Sequence, residues 1–276
     1  MSKLICNICP HHCNLSEGQI GLCKARSNLN GEITAINYGM ITGIALDPIE
    51  KKPLKMFYPG SNILSVGSFG CNLKCSFCQN YDISTVGKNE LETRCVTPKE
   101  LIQLALDLKP RGNIGIAYTY NEPLVGYEYV RDCAILAKEN GLKNVVVTNG
   151  CFCEEPMKEL LPYIDALNID LKGFTDEFYH DIGGYLKAVK DFISLASKTS
   201  HVEITTLIIP GENDSEEEIR SLSKFIASIS RDIPLHLTRF FPRYKMMDKY
   251  ATEVCSVYKL AEIARESLYY VFEGNC

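Results

Sequence analysis

Past Pro53, short runs rich in Val and Ile alternate along the chain with longer runs in which apolar residues recur every three or four positions. The short runs predict β-strands. The longer runs predict helices with one apolar face, such as the face made by Leu101, Leu104 and Leu108. The predicted strands are Ile63–Val66, Ile114–Thr119, Asn144–Thr148, Ala166–Leu171, Val202–Ile209 and Leu235–Thr238. The predicted helices are Pro98–Leu108, Val125–Asn140, Glu154–Leu161, Asp176–Ser197, Ser215–Ser230 and Thr252–Leu268.

Strands that alternate with helices predict an α/β fold with parallel strands and right-handed crossovers. Six such units form either an incomplete barrel or an open doubly wound sheet. In both folds, binding residues collect at the carboxyl ends of the strands. Polar residues and glycines do follow the predicted strands, at Cys71–Cys78, Asn121–Pro123, Asn149–Gly150, Asp170–Lys172, Pro210–Asn213 and Arg239.

The first 53 residues follow a different pattern. They contain four closely spaced cysteines, an alternating strand within Gly31–Gly39, and the charged, proline-punctuated link Asp47–Pro53. We therefore predict a small Cys-rich N-terminal module of residues 1–53, followed by one main domain of residues 54–276.

Composition narrows the class of protein. The chain has 276 residues, of which 46% are hydrophobic, which suits one large domain with a small attachment or two domains. The net charge is −5 and no basic block stands out, so charge does not favour a nucleic-acid partner. No apolar run approaches the length of a membrane span, and the start of the chain lacks the apolar core of a signal peptide. We expect a cytoplasmic protein without a membrane partner.

Thirteen cysteines are many for such a chain, and in a reducing compartment clustered thiols are typical of metal ligands. Cys71, Cys75 and Cys78 have the spacing C-x3-C-x2-C directly after a predicted strand. Three thiolates can hold three corners of an iron–sulfur cube and leave the fourth iron open for chemistry. The alternative is a structural zinc site, which needs four ligands. The next cysteine, Cys95, is distant in sequence, so the cluster is favoured.

The N-terminal module offers a second metal site. Four thiols suit either structural zinc or an auxiliary iron–sulfur cluster, and a disulfide is the weaker alternative. These thiols belong to Cys6, Cys9, Cys13 and Cys23. His11 or His12 could replace one of them. Cys151 and Cys153 follow a predicted strand and are either hydrogen donors, metal ligands or, by preference, incidental loop residues.

The central triplet, with Phe77 before its last cysteine, resembles the signature of the radical S-adenosylmethionine (radical SAM) superfamily. Later motifs resemble the pyruvate formate-lyase activating enzyme branch, and the whole chain is similar to the radical enzymes of the AmmeMemoRadiSam system. The stretches that carry this likeness are Cys9–Cys13, Asp47–Pro53, Pro59–Ser61, Gly70–Asn80, Thr119–Pro123, Thr148–Gly150, Asp170–Lys172 and Phe240–Met246. Members of that system continue past Gly274-Asn275 into a further Cys-containing segment, whose role we expect to be absent or replaced here.

The resemblance implies an incomplete (β/α)6 TIM-like barrel that binds a [4Fe–4S] cluster and S-adenosylmethionine (SAM). It implies that Cys71, Cys75 and Cys78 are the cluster ligands, that the open iron chelates the amino and carboxylate groups of SAM, and that a reductant of the flavodoxin or ferredoxin type supplies the electron. Reductive cleavage then generates a 5′-deoxyadenosyl radical that abstracts hydrogen from a substrate.

The resemblance also implies cofactor contacts for charged residues that follow two strands. Glu122 would accept a hydrogen bond from the methionyl ammonium, and the alternative is a helix N-terminal acid. Its Asn-Glu-Pro context departs from the more widespread Gly-Gly-Glu form, which puts the backbone contacts of those glycines in doubt. Lys172 would reach the cofactor carboxylate, whereas a purely structural pair with Asp170 is the alternative.

Four further residues are predicted to contact the cofactor. Phe77 would face the adenine, or else fill the barrel mouth. Thr148 and Asn149 would bind the ribose hydroxyls, or else form an ordinary turn before Gly150. His236 alternates with apolar strand residues and would contact the cofactor, or else serve as a satisfied core histidine.

Three function classes follow from this reading. The leading one is hydrogen abstraction from a protein glycyl residue, as in the activases that the chain resembles. The same chemistry on a small molecule or another protein side chain is the competing enzymatic reading. An iron–sulfur electron carrier or a metal-binding scaffold is the non-enzymatic alternative, and it predicts a cluster that ignores SAM.

Overall fold

The computed structural model describes residues 3–276, so the first two residues of the predicted module lie outside the described part. The strands are β1 (Leu4–Ile5), β2 (Asn14–Leu15), β3 (Arg26–Leu29), β4 (Glu32–Ala35), β5 (Met40–Ile41), β6 (Gly43–Pro48), β7 (Asn62–Gly67), β8 (Arg94–Cys95), β9 (Asn113–Tyr118), β10 (Lys143–Thr148), β11 (Ala166–Asp170), β12 (His201–Ile208), β13 (Leu235–Arg239) and β14 (Val271–Gly274). The helices are α1 (Tyr81–Ser84), α2 (Pro98–Asp107), α3 (Tyr127–Glu139), α4 (Glu154–Leu160), α5 (Asp176–Asp181), α6 (Leu186–Ala196), α7 (Glu216–Ile229) and α8 (Val254–Arg265).

The main sheet has eight strands in the order β14-β13-β12-β11-β10-β9-β7-β6. Its strands from β7 to β14 are parallel, and β6 pairs antiparallel with β7. Within residues 3–276 the two edge strands do not pair with each other, so the predicted incomplete barrel is confirmed. All six predicted parallel strands are present. The edge strands β6 and β14 were missed, and β6 joins the main sheet although it precedes the predicted boundary near Pro53.

The prediction of one helix over Asp176–Ser197 is wrong, because the segment forms two helices, α5 and α6, with a helix break between them. Gly183 has a φ of +72° at the break, a conformation that favours glycine. A Cβ on Gly184 would lie 2.9 Å from a methyl carbon of Leu73. The amide of Lys74 also donates to the carbonyl of Ile182 over 2.8 Å. The break therefore lets the chain pack directly against the central cysteine loop.

Short hairpins build the N-terminal module. Strands β1 and β2 form one hairpin, β3 and β4 form another, and β4 lies within the predicted strand segment. Arg26 in β3, which is 3% exposed, connects this N-terminal region to the start of α3. Its guanidinium donates to both carboxylate oxygens of Glu128 over 2.9 and 2.6 Å and to the carbonyl of Val125 over 3.1 Å. Such a bidentate pair fixes the orientation of the two parts as well as their contact.

The outer helices pack their apolar faces on the sheet. Helix α2 begins with a capping box, in which the hydroxyl of Thr97 accepts from the amide of Glu100 and the carboxylate accepts from the amide of Thr97. Its residues Leu101 and Ala105 are fully buried. Within residues 3–276 no helix is both long and apolar enough to cross a membrane.

Candidate functional site

A cavity of about 590 Å³ lies at the carboxyl ends of the parallel strands and continues into the barrel interior. It brings together residues from seven parallel strands that are far apart in the sequence. The predicted site residues that line it are Cys71, Cys75, Phe77, Cys78, Glu122, Thr148, Asn149, Asp170, Lys172 and His236. Nine of these residues lie at or after the end of a strand, as the rule for parallel strands predicts, and His236 joins them from within β13.

The loop after β7 carries the three central cysteines and is held from several sides. Asn72 donates to the carbonyl of Cys151 over 2.7 Å, and its side-chain oxygen accepts from Asn149 over 2.8 Å. The carbonyl of Ser76 accepts from the amide of Lys245 over 2.9 Å. Because these bonds tie the loop to other parts of the chain, the backbone that presents the thiols has little freedom to rearrange.

Of the three central cysteines, Cys75 is buried, whereas Cys71 and Cys78 are partly exposed. Cys75 is 9% exposed. Burial raises the pKa of Cys71 well above its usual range, and the nearby charge of Glu122 raises it further. Burial also raises the pKa of Cys75 to about 11 despite the opposing positive charge of Lys172. The metal-free thiols of Cys71 and Cys75 are therefore protonated at neutral pH, and metal binding there would release protons.

The positions of the central thiols limit which metal group they could hold. Within residues 3–276, no three Cys, His, Asp or Glu side chains converge closely enough to hold one metal ion. A four-iron cube does not need such convergence, because each thiolate would bind a different iron. The sulfur of Cys71 accepts from the amide of Leu73 over 3.4 Å and from the amide group of Asn149 over 3.7 Å. Such donors would tune a cluster ligand, so the central triplet fits a cluster better than a single ion.

Glu122 lies at the end of β9 and is 4% exposed. Its carboxylate accepts from the amide of Asn149 over 2.7 Å, from the amide of Leu124 over 3.1 Å and from the hydroxyl of Thr148 over 2.8 Å. Burial raises the pKa of Glu122 to about 7, although these donors oppose the shift. The residue thus joins the ends of two strands and caps the short 3₁₀ turn after them, while its side chain still lines the cavity.

The pair Thr148 and Asn149 links β10 to the cysteine loop. The hydroxyl of Thr148 donates to Glu122 and accepts from the amide of Gly150 over 3.1 Å. The side-chain oxygen of Asn149 accepts from the amide of Cys151 over 2.9 Å. Through its bond to Asn72, Asn149 holds the loop that carries the predicted cluster ligands, a role that the sequence did not indicate. Its predicted contact with ribose stays a prediction.

Asp170 and Lys172 form an ion pair of 2.8 Å at the end of β11. Burial acts to lower the pKa of Lys172, but the charge and hydrogen bond of Asp170 and the charge of Cys75 outweigh it and raise the pKa. The side chain of Lys172 therefore stays cationic beside the thiols. An ammonium group so placed can attract either cluster thiolates or a cofactor carboxylate.

The remaining predicted contacts, Phe77 and His236, also line the cavity. Phe77 is buried and stacks on Phe178 with ring centroids 6.3 Å apart. His236 is also buried, and its Nε2 lies 2.6 Å from the carboxylate of Glu203. Glu203 was missed from the sequence, because a single acid within an apolar strand is not a recognisable motif.

Tyr120 was also missed as a cavity residue. It adopts a φ of +73°, and its hydroxyl donates to Asp47 over 2.9 Å. Lys52 pairs with the same carboxylate over 2.9 Å. A Cβ at Gly67 would lie 2.7 Å from the ring of Tyr120, so only glycine leaves room for it. The segments Asp47–Pro53 and Thr119–Pro123, both noted in the sequence, meet at this point of the cavity wall.

The four N-terminal thiols line a second, much smaller cavity of about 10 Å³. Three of them belong to buried residues, Cys6, Cys9 and Cys23, and burial raises the pKa of Cys9 to about 12. His11 lines the same cavity, but its Nε2 lies 2.8 Å from the carbonyl of Asn72. His12 bonds to Asn7 near the surface over 3.3 Å. The thiols are thus better placed than either histidine to serve as ligands.

Comparisons with known proteins agree with this geometry. The profile of the Radical SAM superfamily matches residues 65–222. An uncharacterized protein of Methanocaldococcus jannaschii is 40% identical over 99% of this chain and 82% of its own. A pyruvate formate-lyase-activating enzyme of Clostridium pasteurianum is 32% identical over 62% of this chain and 72% of its own. The fold is similar to that of a radical SAM methyltransferase from Sphaerobacter thermophilus, with a TM-score of 0.57 and 20% identity over 79% of this chain and 67% of that one.

Proposed function

The chain belongs to the radical SAM superfamily and is a radical SAM enzyme, and we propose that it binds a [4Fe–4S] cluster through Cys71, Cys75 and Cys78 to cleave SAM reductively. The observation that carries this proposal is the cavity, in which the three thiols and seven predicted cofactor contacts share one space. When bound, the cluster supplies the electron that splits the sulfonium–carbon bond, so that methionine leaves and the 5′-deoxyadenosyl radical takes a hydrogen atom from the substrate.

The protein's own residues would bind and orient the cofactor and shield it from water. Lys172 supplies a fixed positive charge for the cofactor carboxylate, while its partner Asp170 keeps that charge in place. Glu122 offers its remaining lone pairs to the methionyl ammonium, since donors already hold the carboxylate in position. Phe77 and His236 complete the walls toward the adenine and the ribose. The buried walls exclude water from a reactive centre.

For the substrate, we propose a protein glycyl residue, because a relative that is 32% identical is a pyruvate formate-lyase-activating enzyme. Loss of a hydrogen atom from the glycyl carbon would leave a protein radical and 5′-deoxyadenosine. A flavodoxin or ferredoxin would supply the electron. The domain division at residue 53 and the roles of the individual cofactor contacts belong to the same proposal.

We further propose that Cys6, Cys9, Cys13 and Cys23 hold a metal. Four thiols suit either structural zinc or an auxiliary iron–sulfur cluster. Because the thiols do not converge in the metal-free protein, binding would require side-chain rotation. Zinc and iron content of the full chain, purified anaerobically and compared with Cys13→Ala, measures the identity of this ion.

The experiment that tests the central proposal uses the full chain reconstituted anaerobically with iron and sulfide. After reduction with dithionite, SAM should be converted to methionine and 5′-deoxyadenosine, and SAM should alter the electron paramagnetic resonance (EPR) spectrum of the cluster. A cluster with fewer than four irons, or intact SAM after reduction, would contradict the proposal and favour an electron carrier. Addition of a candidate glycyl enzyme should give a glycyl radical by EPR. No such radical with several partners would redirect the search to small molecules or other side chains.

A further inference from the structure

Below the cavity, the carboxylate of Glu203 is 0% exposed and holds four hydrogen-bond donors. One oxygen, Oε2, accepts from Nε2 of His236 over 2.6 Å and from the amide of Lys55 over 3.0 Å. The other, Oε1, accepts from Nε2 of His201 over 2.9 Å and from the amide of Met56 over 2.8 Å. Each oxygen thus takes one imidazole and one backbone amide, which satisfies a carboxylate that water does not reach.

The strand register explains why this group lies under the cavity. Glu203 and Thr205 are two residues apart on β12 and face the same side of the sheet. Thr205 lines the cavity and is paired with His236 on the neighbouring strand. Glu203 therefore points into the barrel one step deeper than the cavity wall. From there it reaches His236 on one side and the segment after Pro53 on the other.

Glu203 dictates which nitrogen of His236 carries a proton. An ionised carboxylate can only accept hydrogen bonds, so Nε2 of His236 must donate. The other ring nitrogen, Nδ1, has no hydrogen-bond partner in the described part of the chain, and it is not among the fully buried polar atoms that lack one. Because His236 lines the cavity, Nδ1 is the ring atom open to it.

The same carboxylate also holds the floor of the barrel. The segment 53–56 follows the charged link Asp47–Pro53, and Glu203 accepts both of its amides at Lys55 and Met56. Asn168, paired with Glu203 in the sheet, donates to the carbonyl of Pro53 over 2.9 Å. Pro53 and Lys55 line the cavity from below. One buried group thus positions the floor of the cavity and the histidine in its wall.

We infer that Glu203 is a positioning residue that fixes His236 with Nε2 protonated and Nδ1 presented to the bound cofactor. The identity of the ligand, SAM, rests on the proposed function, whereas the position of the proton rests on this structure alone. This arrangement gives His236 one defined hydrogen-bonding nitrogen, so that the cofactor meets a prepared partner and not a mixture of tautomers. It also gives this buried acid a role in cofactor binding beyond its hydrogen bonds to the barrel floor.

The proton position is tested by imidazole ¹⁵N spectra of the full chain, in which the signals of His236 are those lost in His236→Gln. We expect Nε2 to be protonated in the wild type and Nδ1 to be the nitrogen whose signals respond to SAM. In Glu203→Gln, the added amide group faces the donors, so the tautomer preference should be lost. An unprotonated Nε2 in the wild type would overturn the inference even if Glu203→Gln does not fold.

Binding of SAM tests whether Glu203 acts through His236. Loss of one such hydrogen bond should weaken affinity about tenfold in Glu203→Gln and in His236→Gln, with little further loss in the double variant. His201→Gln is the matched control, since it removes the other imidazole from the same carboxylate without touching the cavity, and it should bind within about twofold of wild type. Additive losses, or equal losses for His201→Gln and His236→Gln, would show a merely structural role. If the wild type does not bind SAM, the proposed function fails, while the ¹⁵N spectra still decide the proton position.

Discussion

The amide of Cys71 donates a hydrogen bond of 3.2 Å to the carbonyl of Cys23, so the two cysteine groups of the chain meet at one backbone contact. The contact is close on both sides. A Cβ at Gly70 would lie 2.4 Å from the same carbonyl and 2.9 Å from the Cβ of Ala25. The N-terminal module therefore rests directly on the loop that carries the predicted cluster ligands.

Gly70→Ala should push the N-terminal module away from the central loop. The residue has a φ of +88°, so the variant combines a left-handed alanine with a backbone clash. We expect a loss of roughly 2–5 kcal/mol in the free energy of unfolding and a lower yield of the central cluster. Urea unfolding and iron content measure the two effects.

Gly18→Ala is the matched control for that prediction. Gly18 has a φ of +75°, and a Cβ there would meet nothing within 4 Å. Only the conformational cost of about 1–2 kcal/mol should appear, with the iron content unchanged. Equal effects of the two variants would mean that the contact between the cysteine groups does not support the cluster loop.

Cys75→Ala should abolish the central cluster, a loss of about four irons per chain, while sparing any ion held by the N-terminal thiols. The two sites use different side chains in separate cavities. Metal analysis and EPR spectra of the reduced protein check this outcome. Cys255→Ala removes an exposed thiol on α8 and should change neither. Simultaneous loss of both metals in Cys75→Ala would contradict separate sites.

Glu122→Ala should weaken SAM binding by about 1.5–3 kcal/mol, because a charge-assisted hydrogen bond to the cofactor is lost. The cluster should remain. Equilibrium binding of SAM to the reconstituted variant measures the effect. Glu122→Ala also removes the side-chain cap of the 3₁₀ turn that follows Glu122. Glu100→Ala at the start of α2 is therefore the control, because it removes a capping interaction away from the cavity. It should lower stability slightly without altering SAM affinity.

The stability of the protein should depend on the ionisation of Glu203. Burial acts to raise the pKa of Glu203, but its bonds from the two imidazoles and the two amides outweigh burial and lower the pKa from 4.5 to about 2. A carboxyl group whose pKa is lower in the folded state contributes stability above pH 4.5, and this contribution is lost as the pH falls toward 2. Its full size is about 3 kcal/mol.

Urea unfolding between pH 5 and pH 3 checks this dependence. Glu203→Gln should lose stability less steeply than the wild type as the pH falls, because its side chain does not titrate. Both proteins keep other acid-sensitive groups, so the stability of each should still fall with pH. One such group is Asp47, whose pKa is lowered because Lys52 and Tyr120 outweigh the effect of burial. If stability fell equally steeply with pH in the two proteins, Glu203 would not make these hydrogen bonds in solution.

Much of the fold followed from local patterns. Six of the seven parallel strands and the helices α2 and α7 were predicted within a few residues, because apolar periodicity and capping residues act over neighbouring positions. The edge strands β6 and β14 were missed, since edge pairing depends on what lies beside them in space. The break between α5 and α6 was missed because the apolar pattern continues across two adjacent glycines.

The sequence by itself determined the order of strands and helices and the chemistry at their ends, because side-chain period and thiol spacing are properties of short stretches of chain. Only the tertiary structure decided that Cys23 lies beside Cys71 and that Glu203 joins Lys55 to His236. These contacts bridge residues far apart in sequence, and Glu203 lies 148 positions from Lys55. Such contacts depend on the register of the whole sheet and on how far the barrel closes, which no local pattern encodes.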